Sequence, residues 1–144
     1  MRLTDRFTTS RTLLDRLCRE NGWDIDIRED DAIALYFNGD GGTDRRMLIV
    51  MHKDGEPAMT FACSLCSSIP ANRLPAHIPV TLLARNHSKM AGWHVSDRNG
   101  QLLFSCGYVA LADSITAHNF KVICTMLLKE VATVEAYLRH ERVI

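Results

Sequence analysis

Cys63-Ser-Leu-Cys66 is the one local spacing in this chain that can do redox or metal chemistry without distant help. Zinc needs four ligands, so a CxxC pair must be completed by a second pair or an HxxxH element, and the sequence contains neither. A redox pair opens a helix, whose dipole lowers the thiol pKa. This pair instead closes an apolar stretch and leads into a segment holding Pro70, Pro75 and Pro79. Both cysteines therefore read as structural, with a redox or metal-binding protein built on Cys63 and Cys66 as the alternative. The segment Asn38-Gly-Asp-Gly-Gly-Thr-Asp44 has the outline of a calcium loop. However, Gly42 replaces the oxygen ligand at its fifth position, and Ile49 stands where the closing Glu belongs. Six histidines are scattered, with no HExxH and no GxSxG among them. The expectation is a protein that is not an enzyme and has no catalytic residues, no cofactor and no metal.

Composition narrows the partners. Seventeen basic residues balance seventeen acidic ones, and no basic stripe carries interleaved aromatics, so nucleic acid and anionic membrane are not expected partners. No apolar run approaches the ~20 residues that span a bilayer, and the first ten residues lack a secretory h-region. Five cysteines without a dense framework fit the cytoplasm. A length of 144 residues fits a single domain, 1–144.

The elements that must position any site follow from periodicity. Leu13, Leu14, Leu17 and Cys18 share one face of a helix expected from about Thr9 to Asn21, which Gly22 stops and Trp23 follows. From Asp24 the period changes to two. Strands are expected at Ile25–Ile27, Ala32–Phe37, Arg46–His52 and Ala58–Leu65, joined by short polar loops that impose antiparallel pairing. Pro79 suits the first turn of a second helix ending near Gly92. Asn99-Gly100 then turns a hairpin between Trp93–Ser96 and Leu102–Val109. A long last helix from about Thr116 to His140 carries the stripe Phe120, Ile123, Cys124, Leu127, Val131, Val134 and Leu138, with Val122, Met126 and Tyr137 as a second. The fold class is α+β, with an antiparallel sheet of five or six strands and three helices in the order α-β-β-β-β-α-β-β-α.

Met47-Leu-Ile-Val-Met51 has no polar residue on either face of its strand. Side chains alternate across a sheet, so a strand with one wet face should alternate apolar and polar. This one does not, and part of its second face needs cover from a helix or another chain. Methionines on such a face suit adaptable contact with other polypeptides. Tyr36, Met47, Ile49 and Met51 are the candidate exposed contacts.

Leu82-Leu-Ala-Arg-Asn86, Trp93-His-Val-Ser96, Leu103-Phe-Ser-Cys-Gly-Tyr-Val-Ala-Leu111 and the closing helix resemble the YbjN-like proteins, which share the fold of type III secretion chaperones. The resemblance implies an α+β sheet with helices, frequent dimers, no enzymatic activity, and roles in binding partner proteins or in regulation. Secretion chaperones tend to be acidic, whereas this chain is neutral. The expected function is a non-enzymatic protein-binding module, chaperone-like or regulatory, acting as a homodimer that holds a partner polypeptide. A small-molecule sensor is a further alternative.

Overall fold

The computed structural model describes residues 3–38, 44–52, 57–86 and 91–144, with side chains from Thr12 onward. The interior of the glycine-rich loop after Asn38, the turn Lys53–Glu56, and His87 and Met90 lie outside the described residues. The chain forms two compact units, Met1–Phe61 with Val109–Thr125, and Ala62–Tyr108 with Met126–Ile144. The elements are α1 (Leu3–Glu20), β1 (Ile25–Arg28), β2 (Ala32–Phe37), β3 (Arg45–His52), β4 (Ala58–Ser64), β5 (Ile69–Pro70), α2 (His77–Arg85), β6 (Gly92–Arg98), β7 (Gln101–Leu111) and α3 (Ala117–His140). Among the described residues the strands form a seven-stranded sheet of order β1-β2-β3-β4-β7-β5, with β6 also on β7. The pairings β1–β2, β2–β3, β5–β7 and β6–β7 are antiparallel. The order of helices and longer strands is the expected one. The two-residue β5 is the addition, within a proline-bearing connection that has no alternation to read.

In the first unit, α1 begins at Leu3, upstream of the expected start at Thr9. No proline or glycine interrupts residues 3–11, so nothing in the chain forces a later start. The helix stops as anticipated. Gly22 adopts φ +70°, its N–H donates to the Arg19 carbonyl at 3.0 Å, and the Trp23 N–H donates to the Cys18 carbonyl at 2.8 Å. That turn delivers Trp23 edge-on to Phe37, with ring centroids 5.1 Å apart, and close to Phe120 at 5.8 Å. Phe120 also meets Phe61 at 5.5 Å. Asn21 Nδ2 donates to the Leu17 carbonyl at 2.9 Å and the Ala117 carbonyl at 3.0 Å, fixing the end of α1 to the start of α3. The buried faces of α1 (Leu14, Leu17, Cys18), β2 (Ile33, Leu35), β3 (Met47, Ile49, Met51) and β4 (Met59, Phe61) form this core.

In the second unit, α2 ends at Arg85 and not near Gly92, because the Asn86 side chain is held by the backbone of β6. The β6–β7 hairpin turns on Asn99 (φ 53°) and Gly100 (φ 82°), the left-handed pair that a two-residue turn requires. Ile78, Leu82, Trp93, Phe104 and Cys106 are buried with the C-terminal stripe of α3. The whole main stripe of α3, from Phe120 to Leu138, is buried. Val122 of the second stripe is instead exposed, so the apolar face is narrower than the composition of α3 implies.

Candidate partner-binding surface

The β3 strand alternates along its whole length, with Val50 only half-buried. Met47 and Ile49 are 0% exposed and Met51 is 4% exposed, whereas Leu48 is 47% exposed and Val50 is half-buried. This corrects the expectation that Met47, Ile49 and Met51 are exposed contacts. They are core residues, and the open parity is the other one. The polar residues Arg46 and His52 share that open parity, whereas the three large residues Met47, Ile49 and Met51 take the core side together with the buried Arg45.

Cross-strand register assembles this face. Ile27 is paired with Ala34, and Ala34 with Leu48, so one row across three strands reads large, small, large. Ala34 is buried, while Ile27 is 43% and Leu48 47% exposed. The next row pairs Ala32 with Val50. The alanines thus form the floor of a shallow apolar trough with Ile27 and Leu48 as its walls. Polar groups close its two ends. At one, Arg46 Nε donates to Asp26 Oδ2 at 3.1 Å, and Tyr36, 49% exposed, donates its hydroxyl to Asp44 Oδ2 at 2.7 Å. That bond to Asp44 holds the Tyr36 phenol above its ordinary pKa. At the other, His52 Nε2 lies 2.6 Å from Thr60 Oγ1. Val109 and Leu111, at the end of β7 in the same unit, are also exposed. Of the four expected site residues, only Tyr36 reaches this surface.

A second concavity, a cleft of about 490 Å³, lies between the end of α1 and β1. Asp15 and Arg28 line it and form an ion pair, flanked by Arg19 and Asp24. Cys18 also lines it, but burial pushes that thiol up to about 11. Burial likewise pushes Cys106 to about 12. Thiols so protonated are poor nucleophiles. No disulfide joins any of the five cysteines. Cys63 is buried on β4 whereas Cys66 is exposed, its N–H donating to Glu135 Oε1 at 2.9 Å. The CxxC spacing therefore does not present two thiols to one site. Among the described residues no group of three His, Cys, Asp or Glu side chains converges as a metal site would require. No helix of the described chain is long and apolar enough to cross a membrane.

The sequence reading missed the polar groups buried on α3. Glu130, only 6% exposed, accepts two bonds from the Arg85 guanidinium, one of them from Nη2 at 2.9 Å, and a third from the Trp93 indole at 3.1 Å. Glu135, fully buried, holds the backbone of Cys66 and pairs with Arg139 at 3.6 Å. Their positions gave the signal. Both fall on the helix face defined by Leu127, Val131, Val134 and Leu138, and a carboxylate there must find donors.

No family model matches the chain, and no curated protein matches it. Solved structures do. A chain of the HopA1–SchA chaperone–effector complex is similar with a TM-score of 0.65 at 12% identity, over 92% of this chain and 96% of that one. A chain of the ExsC–ExsE complex is similar with a TM-score of 0.61 at 16% identity, over 91% of this chain and 92% of that one. At such identities the likeness shows the fold alone, which is that of the type III secretion chaperones.

Proposed function

We propose that this protein is a non-enzymatic polypeptide-binding module, chaperone-like or regulatory, that works as a homodimer in the reducing cytoplasm. Within its fold we read it as a relative of the YbjN-like proteins. The observation that carries the reading is the trough of Ile27, Ala34, Leu48 and Val50. It is an apolar sheet face with open walls and polar ends, which suits a segment presenting a few apolar side chains. The similar structures support it, since both are complexes and one is a chaperone–effector complex. Five cysteines with no disulfide among them fit a reducing compartment. Burial keeps the Cys18 and Cys106 thiols protonated, which makes these two poor nucleophiles.

The test uses a fluorescent peptide library graded by apolar content, titrated with the intact chain. Apolar-rich peptides should bind saturably. Leu48→Asp should weaken that binding about tenfold or more, the loss typical of an anchor contact, and leave the far-UV circular dichroism unchanged. Equal binding by wild type and Leu48→Asp, or no binding by any peptide, would remove this reading.

A further inference from the structure

The CxxC spacing separates its own two thiols, yet Cys63 has another cysteine for a neighbour. Strands β4 and β7 lie side by side in the sheet. Two contacts fix their register where β4 ends. The Leu65 N–H donates to the Phe104 carbonyl at 3.0 Å, and Ser64 Oγ lies 2.7 Å from Ser105 Oγ. Residue numbers fall along one strand as they rise along the other, so the strands run antiparallel. The next pair is therefore Cys63 opposite Cys106.

The neighbouring hairpin gives the hydrogen-bonding phase of that pair. Arg98 and Gln101 flank a two-residue turn and form a hydrogen-bonded pair, so Gln101, Leu103 and Ser105 direct their backbone groups to β6. Phe104 and Cys106 must direct theirs to β4, in agreement with the bond from Leu65. Cys63 and Cys106 are thus a hydrogen-bonded pair, for which Cα atoms stand ~5.5 Å apart. A disulfide spans Cα separations of ~4.4–6.8 Å. Opposite residues also share a face of the sheet, and here it is the core face: both cysteines are 0% exposed, while Ser64 and Ser105 hold the other face. Among the described residues, Cys63 is the one other cysteine whose charge acts on Cys106.

We infer that Cys63 and Cys106 form a redox modification site, a cross-strand dithiol that a peroxide closes to a disulfide. One thiolate attacks the peroxide, whose O–O bond breaks. That sulfur keeps one oxygen as a sulfenic acid, and the other oxygen leaves as hydroxide. The second sulfur then displaces hydroxide from the sulfenic acid and forms the S–S bond. Both thiol protons end on the two departing oxygens as water, and the two electrons lost by the cysteines are gained by peroxide. Burial favours this small oxidant over a bulky one such as glutathione disulfide. The same burial keeps Cys106 protonated, so closure is slow and follows sustained oxidant or local opening of the sheet. The bridge closes a loop of roughly 40 residues, which removes freedom from the unfolded chain. That loop carries β5, α2 and β6. Peroxide exposure is thereby converted into resistance to unfolding, a property that goes beyond the proposed binding role and does not depend on it.

The experiment uses the full-length chain carrying Cys66→Ser, which removes the exposed competing thiol. It is incubated with hydrogen peroxide while folded, then alkylated in denaturant. Two thiols should escape alkylation, and trypsin without reduction should release residues 54–73 joined to residues 99–121. The oxidised chain should keep its far-UV circular dichroism and unfold at a midpoint roughly 10 °C higher, an increase that dithiothreitol reverses. Cys63→Ser in the same background should show neither the joined peptides nor the higher midpoint. Four alkylated thiols after prolonged peroxide would overturn the site, as would oxidation that stops at sulfinic acid or a bridge to Cys18 or Cys124. In the wild-type chain, Cys63 joined to Cys66 would overturn it equally. Joined peptides with an unchanged midpoint would uphold the pairing and overturn the resistance to unfolding. Should Cys63→Ser fail to fold, the peptide map of Cys66→Ser decides.

Discussion

Glu130 shows what a single buried carboxylate does here. It receives the Arg85 fork and the Trp93 indole, so it joins α3 to the end of α2 and the start of β6. Removing Glu130 leaves the buried Trp93 indole without its acceptor, while Arg85, 30% exposed, regains water, so the cost is about 1–3 kcal/mol. Glu130→Ala should lower the unfolding free energy by about that much in urea titration. Glu130→Gln, which keeps an acceptor for Trp93, should lose less. A loss under ~1 kcal/mol in Glu130→Ala would mean that the pair does no more than an exposed one. The side chains of β3 carry the complementary lesson. Both parities of Met47–Met51 are apolar, so hydrophobicity cannot choose between them. The polar flanks do not choose either, since Arg46 and His52 lie on the wet parity while Arg45 lies, buried, on the parity of Met47.

At the scale of elements, local stop signals set much of the layout, and they were the most legible features. Gly22 is one. An added Cβ at that position would meet nothing within 4 Å, so the cost of substitution comes from its φ of +70° alone. Gly22→Ala should therefore destabilise by ~1 kcal/mol through backbone strain, with no packing change. A stabilised variant in thermal unfolding would mean that the turn relaxes out of the left-handed region. The Asn99-Gly100 turn and the Phe120–Leu138 stripe could be read for the same reason, because each follows from neighbours in sequence. The end of α2 and the existence of β5 could not. The first depends on a bond from Asn86 to Trp93, and the second on the pairing of Ile69 with Leu102. Both are tertiary facts that no local period announces.

For the molecule as a whole, stability should respond to alkali through its buried thiols. Burial raises Cys18 to about 11 and Cys106 to about 12, from 9.0 in the unfolded chain. Below pH 9 both states keep these protons, so the stabilisation is complete. Above it the unfolded chain releases them first, and stability falls as pH climbs toward the folded values. Cys106→Ala should make the decline between pH 9 and 11 shallower than in wild type. An identical slope would show that this thiol does not contribute. The fold class was readable at this scale from element order and loop lengths. The open trough was not, because it depends on register between strands.

Neither compact unit is continuous along the chain, since Met1–Phe61 is completed by Val109–Thr125. A ribosome adding ~5–20 residues per second needs roughly 3–13 s to pass from Phe61 to Thr125. Throughout that interval Phe61 and Trp23 exist without Phe120, the ring they both pack beside. The nascent protein must therefore carry unshielded apolar surface until Phe120 has been made. A module read as a custodian of other chains would itself emerge with the same vulnerability.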